Sequence, residues 1–326
     1  MKDLASSYLT KPPVSWNRAI GQDMKVKDWI VPGWETSEEP HVVLMGAPLS
    51  RSSISASAAS EFPAAFRQSW SYYSTYYIDD QIDFRELKVA DLGDIQMHGT
   101  NILTCHSNIQ NAMTDVLKTY PNSFTITIGG DHSITAPLIR AYPAESKKRI
   151  GIIQFDTHLD LRNVEEHGPS NGTPIRQLLD GGIVRGEDVY NIGLHGFYNA
   201  PSLIEAANHY GVNMITLKEF RRKGAAAQIK EVVEKLKEKV DLIYVTIDID
   251  VLDIAYAPGV PASTPGGMRT DELFDLLYEL GKYDGLTAMD FVCIDPYKDT
   301  NVGTTVKAVT YAFLTYLVSR YKHLHV

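Results

Sequence analysis

RIGIIQFDTHLDLRN, residues 149–163, is an apolar run that stops abruptly in Asp156, His158 and Asp160, with Arg162 two residues further on. On an extended strand, residues two apart project to the same face, so these side chains leave together. The run before them is apolar throughout rather than alternating, as expected of a strand covered on both faces in a parallel sheet. In open α/β sheets, ligands bind beyond the carboxyl ends of the strands. An apolar run ending in a row of ligand-type side chains therefore predicts both a fold and a site.

Seven other runs behave alike: HVVLMGA (41–47), KVADLGD (88–94), FTITIGG (124–130), DVYNIGL (188–194), VNMIT (212–216), VDLIYVTIDID (240–250) and GLTAMDFVCID (285–295). Helical patterns separate them. In AAAQIKEVVEKLKEKV (225–240), Ile229, Val232, Val233, Leu236 and Val240 share one stripe opposite Lys and Glu. Residues 271–282 and 302–321 read the same way. Eight strands interleaved with helices predict a three-layer α/β/α fold with an eight-stranded, mostly parallel sheet, as a single domain over residues 1–326.

Bulk properties narrow the function. The chain has 326 residues, 44% hydrophobic and 22% charged, with a formal net charge of −9. That balance argues against a nucleic-acid or anionic-membrane surface. No apolar run approaches the roughly 18 residues of a membrane span, and nothing resembles a signal peptide. Cys105 and Cys293 are too few for a disulfide framework. The expectation is a cytoplasmic protein acting on a small molecule.

Three runs end in ligand-type residues. One closes in GGDHS, with Asp131 and His132; one in Asp156, His158 and Asp160; one in DID, with Asp248 and Asp250, followed by Asp253. Alone, GGDHS is a tight turn with a Ser cap, DID a strand-end turn, and a single His an ordinary hydrogen-bonded residue. Together they crowd carboxylates that repel unless cations sit among them. Mixed imidazole and carboxylate donors suit Mn, Zn or Fe, and the carboxylate excess leans toward Mn. Bridging carboxylates would set two ions about 3.5–4 Å apart, a geometry that activates a shared water. Asp131 is a candidate for support from behind the ligands.

GGDHS, FDTHLD and TIDIDVLD resemble the three metal-binding signatures of the ureohydrolases, the arginase and agmatinase family. GAPLS (46–50), GPSNGTPIRQLL (168–179) and APGVPASTPGGM (257–268) extend the resemblance over most of the chain. PLSRSSIS and SNGTPIRQLL look most like the formimidoylglutamase branch, which cleaves N-formimidoyl-L-glutamate to glutamate and formamide in histidine degradation. The resemblance implies two Mn²⁺ ions per subunit. His132, Asp156, Asp160 and Asp248 would hold one; Asp156, His158, Asp248 and Asp250 the other. It further implies that a hydroxide bridging the metals attacks the amidine carbon, with Asp160 orienting it and passing a proton to the leaving amine. Relatives are homo-oligomers, which implies a trimer or hexamer.

Three positions depart from the family pattern. Cys293 stands where Glu commonly receives the cationic group, leaving Asp290 or Asp295 as alternatives. Asn171 stands where arginases and agmatinases keep a proton-shuttling His, and His167 lies four residues upstream as a candidate replacement. His195 stands where relatives place Arg. For an acidic substrate tail, Arg162 would share the face of Asp160 and is the leading carboxylate contact. Arg51, Ser52, Ser53, Asn163, Ser170 and Asn171 are further substrate-binding candidates, with Tyr198 behind them. The alternative readings are a guanidino-compound hydrolase releasing urea, and a relative that binds metal without turnover because of Cys293 and Asn171. A single-zinc deacetylase is disfavoured, because no adjacent His-His pair occurs.

Overall fold

The computed structural model describes residues 5–16, 23–146 and 148–325. Its strands are β1 (Leu9–Thr10), β2 (Val31–Pro32), β3 (Val42–Gly46), β4 (Tyr76–Tyr77), β5 (Ile82–Asp83), β6 (Val89–Ile95), β7 (Phe124–Ile128), β8 (Ile150–Phe155), β9 (Val189–Leu194), β10 (Asn213–Thr216), β11 (Leu242–Asp248) and β12 (Leu286–Val292). Ten of them form one sheet in the order β1-β6-β3-β7-β12-β11-β8-β9-β10, with β2 also paired to β6. The eight apolar runs supply eight of these strands, and they pair in parallel throughout. Two strands are additional. β1 lies antiparallel on β6, and β2 lies parallel on it. Each is two residues long, too short to register as a run, and Pro32 has no N–H to give a ladder. β4 and β5 pair apart from the sheet.

Every residue of β3, β6, β7, β8, β9 and β11 is buried, so both faces of the sheet are covered. Two sets of helices do the covering. One contains α2 (Ile102–Thr119), α3 (Thr135–Ser146) and α4 (Pro174–Asp180), packed in series. The other contains α1 (Phe62–Ser69), α5 (Ala225–Lys237), α6 (Thr270–Gly281) and α7 (Thr304–His325), also in series. In α5 the stripe read from the sequence is the buried one: Ile229, Val232, Val233 and Leu236 all face inward. No helix among the described residues is long and apolar enough to cross a membrane.

Chain order and spatial order diverge where it matters. β7 and β8 follow one another in sequence, yet β12 and β11 lie between them. The crevice opened by such a reversal lies at the carboxyl ends of the strands. The segments leaving β7, β12, β11 and β8 carry residues 129–133, 293–295, 248–250 and 156–160 to one place. Close approach is needed there. A Cβ on Gly130 would lie 1.8 Å from the Leu49 carbonyl oxygen, which itself accepts the Asp131 N–H at 2.7 Å.

Candidate metal centre and substrate cleft

Two groups of side chains converge at these strand ends: His132, Asp156 and Asp160, and Asp156, His158 and Asp250, with Asp156 in both. His132 Nδ1 lies 2.7 Å from Asp160 Oδ2, 3.2 Å from Asp248 Oδ2 and 3.3 Å from Asp156 Oδ2. His158 Nδ1 lies 2.8 Å from Asp250 Oδ2 and 3.6 Å from Asp156 Oδ1. Backbone N–H groups fix the carboxylates: His158 N–H donates to Asp156, Asp250 N–H to Asp248 and Thr157 N–H to Asp250. The spacing of two along each strand end makes these turns, because a side chain accepts from the N–H two residues on.

The electrostatics call for cations. Burial raises Asp160 and Asp248 to about 7, with Asp156 adding to the effect at both, and raises Asp250 to about 6. Burial opposes charge on His158 too, but Asp250 and Asp156 hold it up at about 12. Against burial, His132 and His158 hold Asp156 well below the usual carboxylate range, and Asp160, Asp248 and Asp250 are left with too little positive charge to ionise freely. His132 Nδ1 and Asp160 Oδ2 are buried and have no well-directed hydrogen bond between them or to any other described group. Lone pairs converging without a shared proton suit a metal ion. The donor set fits two hard or borderline divalent ions.

Beneath these candidate ligands runs a row of polar side chains, of which sequence reading singled out only Asp290. Strand register places Thr127, Asp290, Thr246, Gln154 and Asn191 side by side across β7, β12, β11, β8 and β9. Each is essentially fully buried. Three reach upward: Thr246 Oγ1 meets His132 Nε2 at 2.8 Å, Gln154 Nε2 donates to Asp156 Oδ2 at 2.7 Å, and Asn191 Nδ2 donates to the His158 carbonyl at 2.6 Å. The signal was present as a polar residue interrupting each of these apolar runs, in FTITIGG and GLTAMDFVCID beside a further threonine.

A cavity of about 100 Å³ opens beside the ligands, lined among others by Ile54, Asp160, Arg162, Asn171, Asp248 and Cys293. Cys293 faces into this cleft next to Asp248, and its backbone is left-handed with φ 67°. Burial and the Asp248 charge push its thiol well above the ordinary range, so it stays neutral. Asp160 is also left-handed, with φ 54°. Arg162 is exposed on the wall and has no carboxylate partner among the described residues. Asn171 Oδ1 accepts from Ile54 N–H at 2.8 Å, and its own N–H donates to the Ser52 carbonyl.

The remaining candidates lie elsewhere. Asp290 is not available to a substrate cation, because it is fully buried and accepts from Thr135, Tyr244 and Thr246. Asp295 holds the turn it begins, accepting Ala58 N–H and Tyr297 N–H. Asn163 caps the short helix Val164–His167. His167 sits exposed at that helix's end, 3.9 Å from Glu166. His167, Arg51, Ser52, Ser53 and Ser170 line a separate cavity of about 670 Å³ rather than the metal-side cleft. Arg51 turns its guanidinium onto the His98 carbonyl. His195 is engaged by the Gly193 carbonyl and Thr264, with the Tyr198 ring between it and His158. Asp131, adjacent to His132 in the chain, accepts Ser133 N–H and Ser52 N–H.

The sequence signature of the arginase family matches residues 40–318. The chain belongs to the arginase family. Among relatives, the formimidoylglutamase of Halalkalibacterium halodurans is 43% identical over 284 residues, 87% of this chain and 88% of that one. The crystal structure of formimidoylglutamase from Bacillus subtilis superposes with TM-score 0.88 at 33% identity, covering 96% of each chain. A formiminoglutamase of Trypanosoma cruzi, solved with Mn²⁺, has the same fold at TM-score 0.82 and 23% identity, covering 92% of this chain and 99% of that one. The arginase-family fold thus accounts for the order of strands and for the place where the acidic signatures meet.

Proposed function

We propose that this arginase-family hydrolase cleaves N-formimidoyl-L-glutamate, using two Mn²⁺ ions held by His132, Asp156, Asp160, His158, Asp248 and Asp250. The observation that carries the reading is the pair of ligand groups sharing Asp156, with an unpaired Arg162 on the adjoining wall. The formimidoylglutamase relatives and the manganese of the T. cruzi structure support the same choice. When bound, the two ions would supply Lewis acidity and a water made nucleophilic at neutral pH.

The protein's own groups divide the remaining work. The water oxygen forms a bond to the formimidoyl carbon, the bond from that carbon to the glutamate nitrogen breaks, and formamide and glutamate leave. Asp160, whose Oδ2 has no hydrogen-bond donor, accepts the proton of the water and returns it to the departing amine. Arg162 receives a substrate carboxylate, and Asn171 fixes the cleft wall by holding Ile54 N–H and the Ser52 carbonyl. Cys293 fits this substrate better than a guanidine. Both groups are monocations, but a formimidoyl carbon carries hydrogen where a guanidine carries a third nitrogen, and a neutral thiol offers that nitrogen's N–H groups no carboxylate acceptor.

The test is to load the protein with Mn²⁺ and supply N-formimidoylglutamate, arginine, agmatine and guanidinobutyrate, assaying formamide and urea separately. Formamide from the first alone is expected. Urea from a guanidino compound would move the activity to another branch of the family. Absence of product with both metals bound would mean that Cys293 and Asn171 mark either a different substrate or a silent site. A homo-oligomer, trimeric or hexameric, belongs to the same proposal, and analytical ultracentrifugation decides it.

A further inference from the structure

The buried row beneath the ligands contains a carboxylate that the reaction does not use. Asp290 Oδ1 accepts the Thr246 hydroxyl at 2.6 Å, while its Oδ2 accepts Thr135 and Tyr244, each at 2.8 Å. Thr246 Oγ1 in turn lies 2.8 Å from His132 Nε2. All of these side chains are fully buried or nearly so, so no water competes for the bonds. A threonine hydroxyl owns one proton. Having given it to Asp290, Thr246 can only accept from His132.

We propose that Thr246, with Asp290 taking its proton, is a positioning residue that sets the tautomer of His132. Nε2 then carries the hydrogen, and Nδ1 presents a lone pair toward Asp156, Asp160 and Asp248, where a cation would sit. The same bond fixes the ring about its long axis. An imidazole free to choose would place a proton on Nδ1 in part of its population and would have to lose it before binding a metal. The two residues lie 114 positions apart in sequence, and Thr246, which opens the TIDIDVLD stretch, is not itself one of the six candidate ligands.

The inference rests on the proposed metal centre, and its test separates the two. Mn²⁺ affinity is measured by calorimetry on the full-length wild type, Thr246→Val and Thr246→Ser, alongside thermal unfolding of each metal-free protein. Valine keeps the volume and loses the acceptor; serine keeps it. Thr246→Val is expected to bind Mn²⁺ about 10–100-fold more weakly and Thr246→Ser to bind like wild type. Nitrogen-15 spectra of histidine-labelled wild type loaded with diamagnetic Cd²⁺ should show His132 protonated at Nε2. If wild type takes up no Mn²⁺, the centre itself is wrong. If wild type and Thr246→Val bind it equally, or His132 carries its proton on Nδ1, the positioning role is overturned. Should the valine variant fail to fold, the labelled wild type still decides.

Discussion

Arg162→Ala is the perturbation that most directly tests how substrate is read. The guanidinium is exposed and has no carboxylate partner among the described residues, so its removal leaves no buried charge stranded. Its stem lies along the cleft, close enough that a Cβ on Gly172 would come within 2.8 Å of Arg162 Cδ. A hydrogen bond to a charged group contributes about 1.5–3 kcal/mol, and solvent exposure argues for the lower part of that range. About 1.5–2 kcal/mol corresponds to a loss of about 10–30-fold in kcat/KM. The contact is remote from the reacting carbon and is made equally in the ground and transition states, so the loss should fall on KM with kcat nearly unchanged. The assay is steady-state formamide release from N-formimidoylglutamate and from an N-formimidoyl alkylamine that lacks carboxylates. The first substrate should lose the stated factor and the second almost nothing. Arg162→Lys should recover part of it, because a point charge cannot make the bidentate contact. Equal losses on both substrates, or a collapse of kcat, would show that Arg162 acts on the metal centre or the fold instead.

Three further outcomes follow from the geometry. Because Asp156 belongs to both ligand groups, Asp156→Ala should abolish binding of both ions, whereas His158→Ala should retain one; metal content after gel filtration distinguishes them. Burial, with help from the Arg140 charge, depresses His106 to about 4. The unfolded chain therefore binds more protons than the folded one between pH 6.5 and 4, and stability falls as pH drops through that window by about 3 kcal/mol. Urea unfolding of His106→Gln should lose that part of the slope. Arg67 is buried between Asp91 and Asp94, at 2.7 Å from each. Arg67→Met strands both carboxylates, at a cost of about 3–5 kcal/mol. With an unfolding entropy of about 0.7 kcal/mol per kelvin for a chain this long, calorimetry should show the midpoint fall by about 4–7 °C.

The parallel sheet was legible because its strands are buried on both faces and so read as largely apolar runs, several of them punctuated where the carboxyl end meets the site. The candidate ligands could be picked out because Asp156, His158 and Asp160 are neighbours in sequence at the end of such a run. β1 and β2 escaped because two residues carry no pattern. The division of the substrate candidates also escaped. Ser170 and Asn171 are adjacent in sequence, yet they line different cavities, since a loop gives successive side chains no periodic direction. Thr246 and Asp290 were visible as polar interruptions, but their partner is set by strand register between segments 44 residues apart, and no local rule supplies that register.

The loop from Ser50 to Ala58 is tied down from several directions. Asp131 holds Ser52 N–H, Asn171 holds Ile54 N–H and binds the Ser52 carbonyl, Asp295 holds Ala58 N–H, and Lys298 reaches the Ala56 carbonyl. Two of these anchors adjoin the chemistry, for Asp131 precedes His132 and Asp295 closely follows Cys293. Specificity and catalysis are thus not separable modules in this chain. A side-chain exchange on the loop would retune which tails are admitted, whereas an inserted residue would pull on Asp131 and, one peptide bond later, on the proposed ligand His132. Diversification of substrate range is therefore channelled into substitutions rather than changes of loop length.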